Sequence, residues 1–136
     1  MGGLHISCGD FEGEDKSCSA IFGVITEIRK VCEQAQVLQA LEAMQAKIEE
    51  DGYFEMTPKQ AEILQPAITD YHSTLVQTFV GLEPHEAIDA DEAAGIDPGA
   101  AKYGDGKGWQ FYCTTDLVKA LAKSMAEKEP VLIMYV

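Results

Sequence analysis

Hydrophobic and polar positions alternate along this chain in two rhythms. Leu4, Ile6 and Cys8 are separated by His5 and Ser7, a period of two that predicts a short first strand. Ile21, Ile25, Ile28, Cys32 and Ala35 then step by fours and threes, which predicts a helix. Gly23 costs that helix about 1 kcal/mol relative to alanine, and the apolar run over residues 20–26 also suits a strand. The next series, Val37, Leu41, Met44 and Ile48, is out of phase with the first. Either the chain bends between Gln34 and Gln36, or one long helix changes the face it buries. Gly52 suits the left-handed position just past a helix, although Glu49, Glu50 and Asp51 sit at the wrong end of the helix dipole and should fray it.

Tyr53–Met56 predicts a second short strand. In Thr57-Pro58-Lys59-Gln60, threonine is the cap, proline takes the first helical position, and glutamine reaches back to the cap amide. Ala61, Leu64, Ile68, Tyr71, Leu75 and Phe79 continue the helical face to Gly81, with a kink or break expected at Pro66. Trp109, Phe111 and Cys113 alternate with Gln110 and Tyr112, predicting a third strand. Thr114 or Thr115 would cap the next helix, whose apolar face is Leu117, Val118, Leu121, Ala122 and Met125; Pro130 ends it. Residues 131–136 are apolar throughout, predicting a final strand buried on both faces and central in its sheet. Asp51–Thr57 and Lys107–Thr114 share the order glycine, aromatic, short strand, threonine. Two uses of common capping chemistry account for it better than a duplicated unit.

The resulting class is α+β: one domain over 1–136, with about four short strands covered mainly on one side by four or five helices. From Gly52 onward the chain resembles the YfbM-like family of uncharacterised bacterial proteins. The likeness is carried by Tyr53-Phe54-Glu55-Met56-Thr57-Pro58-Lys59-Gln60, by Ala94-Gly95-Ile96-Asp97-Pro98, and by Val131-Leu132-Ile133. It covers roughly the C-terminal two thirds. It implies a small α+β domain and brings no catalytic residues with it.

Charge changes the picture most. The net charge is −13, from 23 acids against 10 bases, and such a field repels phosphate and favours capture of basic partners. The segment 82–106 concentrates it: Glu83, Glu86, Asp89, Asp91, Glu92, Asp97 and Asp105 stand against Lys102 alone. Prolines and glycines break that segment up, leaving one helical turn near Pro84–Ile88. Residues 9–16 read as a second, solvated acidic loop. No apolar run is long enough for a membrane span, no basic leader opens the chain, and the four cysteines form no CxxC pair; a reducing cytoplasmic setting is expected.

Candidate chemistry is thin. His5 with Cys8 and Cys18, or His85 with Asp89 and Asp91, lacks the spacing of a zinc or calcium site, so no metal or cofactor is expected. Gly104–Gly108 lacks P-loop spacing. Cys113, just before the expected helix start, is the best-placed thiol, and His72 could serve acid–base chemistry with Trp109 or Glu55. Three functions remain. The first is an interaction or inhibitor-type module that meets a basic protein partner through Glu83, Glu86, Asp89, Asp91, Glu92 and Trp109. The second is a small-molecule pocket or minor enzyme at Tyr53, Tyr71, His72, Tyr103 and Trp109. The third is a homodimer paired through Tyr53–Met56.

Overall fold

The computed structural model of the chain describes residues 3–14, 16–95 and 107–135, with the backbone alone for residues 16–18. Strand β1 (Gly3–Cys8) turns through Gly9 and Asp10 into β2 (Phe11–Glu12). Gly9 at φ 59° supplies the positive φ that the first position of such a two-residue turn needs. β3 (Lys16–Ser17) then pairs with the other end of β1, so β2 and β3 are two pieces of one interrupted strand. The described part of the acidic stretch, residues 9–14 and 16, expected as a solvated loop, therefore runs along an edge of the sheet. Helices α1 (Cys18–Val31) and α2 (Ala35–Asp51) follow, and the out-of-phase apolar series resolves as a bend between two helices. Residues 20–26 are helical. Gly52 closes α2 at φ 77°, its N–H reaching Ile48 O at 3.0 Å.

Strand β4 (Tyr53–Met56) leads into α3 (Pro58–Thr78) through the predicted capping box. Gln60 N–H donates to Thr57 Oγ1 at 3.2 Å, and Thr57 N–H donates to Gln60 Oε1 at 2.9 Å. Pro66 does not break α3; it sits on the exposed side, where losing one backbone donor is tolerated. Segment 82–95, expected to hold one helical turn, carries the full helix α4 (Pro84–Ala93), and residues 96–106 lie outside those described.

The expected strand at Trp109–Cys113 is the first half of a long helix, α5 (Lys107–Glu127). Thr114 and Thr115 are consequently interior, each donating its hydroxyl to Phe111 O. With that strand gone, the idea of a repeated strand–helix unit falls as well. The alternation misled because α5 is buried on several sides. Phe111 packs towards Leu75, Phe79 and Ala87, while Cys113 packs into the main core beneath the sheet.

Strand β5 (Val131–Tyr135) closes the antiparallel sheet, which has the order β2-β1-β5-β4 with β3 beside β1. β5 is central, as expected. Only its inner face is sealed, however: Val131 and Ile133 are buried, whereas Met134 is exposed. The buried side chains of the sheet (Leu4, Ile6, Cys8, Phe54, Met56, Val131, Ile133) meet the helices on one face. His5, Leu132, Met134, Tyr53 and Glu55 occupy the other. Among the described residues no helix is long and apolar enough to cross a membrane.

Candidate functional site

Two glycines fix the frame of the site. At Gly108 a Cβ would lie 2.7 Å from both Cα and N of Ile88, so α5 can approach the α4 backbone only with glycine there. Asp91, from α4, then accepts the Gly108 N–H at 2.6 Å and caps α5. At Gly13 a Cβ would meet Asp116 Oδ2 at 2.5 Å. Asp116, from α5, accepts the Glu14 N–H at 3.1 Å and so occupies the outer edge of the interrupted strand where another strand would otherwise pair.

Between these two junctions lies a groove of about 590 Å³. Phe11, Glu12, Gly13 and Glu14 form one wall, Glu83, Pro84 and His85 at the start of α4 the other, and Tyr112, Thr115, Asp116 and Lys119 of α5 the floor. Glu14 and Glu83 are exposed while Asp116 is buried, so three acidic residues line a space whose lining has one lysine. Glu12 adds backbone to the wall and turns its carboxylate to His5, 3.9 Å away on the open face of the sheet. Tyr112 donates its hydroxyl to Glu14 and stacks on Trp109, with ring centroids 6.1 Å apart. Stacked aromatics beside carboxylates suit a guanidinium or ammonium group, which can use both the ring face and the negative charge.

His72 of α3 stands behind the floor. The Thr115 hydroxyl hydrogen goes to Phe111 O at 2.8 Å, so His72 Nε2–H must donate to Thr115 Oγ1 at 3.2 Å. Burial lowers the His72 pKa from its ordinary 6.5. The unfolded chain therefore binds this proton more readily. The contribution of neutral His72 is complete above about pH 6.5 and is lost as pH falls through its folded value. Chemical denaturation across this range should show His72→Gln with a flatter loss of stability than wild type.

A second polar cluster ties α1, α3 and α5 together. Lys107 Nζ lies 2.9 Å from Glu27 Oε1 and donates to Tyr71 Oη at 3.3 Å, while Tyr71 donates to Gln110. Burial opposes the Lys107 charge, but Glu27 and Tyr71 outweigh it and leave its pKa raised; burial raises that of Tyr71. Glu27 also holds Lys30 at 2.7 Å, and the cluster reads as a strut between the three helices. Beside it, Tyr71, Cys32, Pro66 and Asp70 help line a cleft of about 240 Å³ between α1 and α3.

The acidic residues singled out from sequence divide. Glu83 lines the groove and Trp109 backs it through Tyr112; Asp89 and Glu92 are exposed on α4. Glu86 Oε1 accepts the Glu83 N–H at 2.8 Å. Asp91 is no surface acid: it is 7% exposed and committed to α5. The described members of the aromatic set are dispersed: Tyr53 is on β4, Tyr71 is in the three-helix strut, His72 bonds Thr115, and Trp109 belongs to α5 and stacks on Tyr112; Tyr103 lies outside the described residues. His72 is bonded to Thr115 rather than to Trp109 or Glu55. Cys113 is fully buried within α5, so the access a nucleophile needs is missing. Among the described residues no three His, Cys, Asp or Glu side chains are placed to share a metal ion.

Sequence reasoning missed Glu12, Glu14, Tyr112 and Asp116. The alternation of Phe11 with Glu12 immediately after a glycine turn was the available signal for the first pair. No family model matches the chain, nor does any curated protein or solved structure.

Proposed function

We propose that the protein is an interaction module that receives a basic segment of a protein partner in the groove between the β2 edge and α4. The observation that carries this reading is the meeting of Glu14, Glu83 and Asp116 along one groove beside the Tyr112–Trp109 stack. The partner would lay arginine or lysine side chains against these carboxylates, and the net charge of −13 would speed the encounter. Asp116 acts here as a positioning residue, because its carboxylate holds the Glu14 amide and with it the groove wall. A reducing compartment such as the cytoplasm is part of this reading, supported by the unbridged thiols of Cys8 and Cys32.

The test is the paired charge reversal Glu14→Lys with Glu83→Lys, both exposed and lining the groove. Binding of an arginine-rich peptide, followed by fluorescence of the single Trp109, should weaken about tenfold or more, chiefly through the on-rate, and lose its salt dependence. Equal weakening from Glu42→Lys with Glu49→Lys, on the remote face of α2, would reduce the effect to net charge and sink the groove.

A further inference from the structure

The groove lies at one edge of the sheet; the other edge is β4, and it is unpaired among the described residues. Tyr135 N–H donates to Gly52 O at 2.9 Å, so the alternation of an antiparallel ladder turns Phe54 and Met56 towards β5. Tyr53 and Glu55 therefore direct their N–H and C=O groups outward. Beside this edge runs a shallow groove of about 170 Å³, lined by Tyr53, Phe54, Glu55, and Lys47 and Asp51 of α2. Lys47 and Asp51 pair at 3.2 Å, with side chains 59% and 43% exposed. Tyr53 is 51% exposed.

We infer that β4 is a dimerisation edge, at which a second copy of this chain pairs antiparallel across a twofold axis at Phe54. The backbone is self-complementary in that register. Tyr53 exchanges both its hydrogen bonds with Glu55 of the second copy, and Glu55 exchanges both with Tyr53 of the second copy. The side chains are complementary too. α2 runs antiparallel to β4, so Asp51 lies at the Tyr53 end and Lys47 towards the Glu55 end. The twofold reverses that order, setting each Lys47 level with Asp51 of the second copy. Like charges do not meet directly along the strand either, because Glu55 lies opposite Tyr53 rather than opposite its own copy. A foreign strand would satisfy the backbone but has no such built-in match of lysine to aspartate. The resulting continuous sheet leaves the two acidic grooves at its far ends, open and facing two partners.

Sedimentation equilibrium of the intact protein, from low to high micromolar concentration, should show a monomer–dimer equilibrium. Glu55→Pro removes an outward amide that makes no bond among the described residues, a substitution that sheet edges accept. It should leave the thermal unfolding transition in place and abolish the dimer. Lys47→Asp alone should also abolish it, and Lys47→Asp combined with Asp51→Lys should restore it. This rescue keeps the inference testable should Glu55→Pro unfold the chain. A monomer at every concentration would overturn the inference, as would a dimer indifferent to both the proline and the charge swap. A monomer whose Tyr53 and Glu55 amides become protected only when another protein is added would assign the edge to that protein and equally overturn it. None of these outcomes bears on peptide binding at the far groove.

Discussion

Gly108→Val should destabilise the protein by about 3 kcal/mol, the upper end of the usual cost of overpacking. The added side chain would start 2.7 Å from the backbone of Ile88, and a backbone cannot yield as a flexible side chain can. α4 must move away, and Asp91 then loses the Gly108 amide it accepts at 2.6 Å. A carboxylate 7% exposed is left without that partner, which adds to the loss. Against a total stability of about 5–15 kcal/mol for an ordinary domain, the change is large. Urea unfolding should report it as a lower midpoint with an unchanged slope. The groove should suffer with the fold, because Glu83, Pro84 and His85 ride on the start of α4. An unchanged midpoint would mean that α4 does not pack against α5 at this glycine.

Ile133→Ala should cost about 2–5 kcal/mol, as deletion of a buried branched side chain usually does. Ile133 is fully buried at the centre of the sheet, opposite Ile6 on one side and Phe54 on the other. The neighbouring residue makes the comparison informative. Met134 is 40% exposed on the open face, so Met134→Ala should change stability by only about 0.5 kcal/mol. Equal losses at the two positions would show that both faces of β5 are covered, as the unbroken apolar run over 131–136 had suggested from sequence.

That contrast shows where the sequence was legible. Local chemistry with one dominant cause could be read directly: the Thr57 capping box, Gly52 in the left-handed region, and the alternating residues of β1. Patterns that depend on neighbours could not. A helix buried on several sides carries apolar residues at nearly any spacing, so Trp109, Phe111 and Cys113 passed for a strand when they are the start of α5. A central strand can be apolar throughout and still leave one face open. Acidic residues look alike in a sequence, yet Asp91 and Asp116 are buried and bound to backbone amides while Glu12 and Glu83 are exposed. The groove was hidden for a further reason. Its walls come from residues near 12 and near 84 and its floor from α5, so only the fold brings them together.

The most direct test of the groove is a titration of labelled protein with an arginine-rich peptide, followed amide by amide by NMR at moderate salt. The groove reading predicts saturable shifts confined to residues 11–14, 83–85 and 112–119, with Trp109 Nε1–H among those that move. Shifts spread evenly over the acidic surfaces of α2 and α3, around Glu42, Glu49 and Glu62, would contradict it and leave only a negatively charged protein attracting a positively charged peptide.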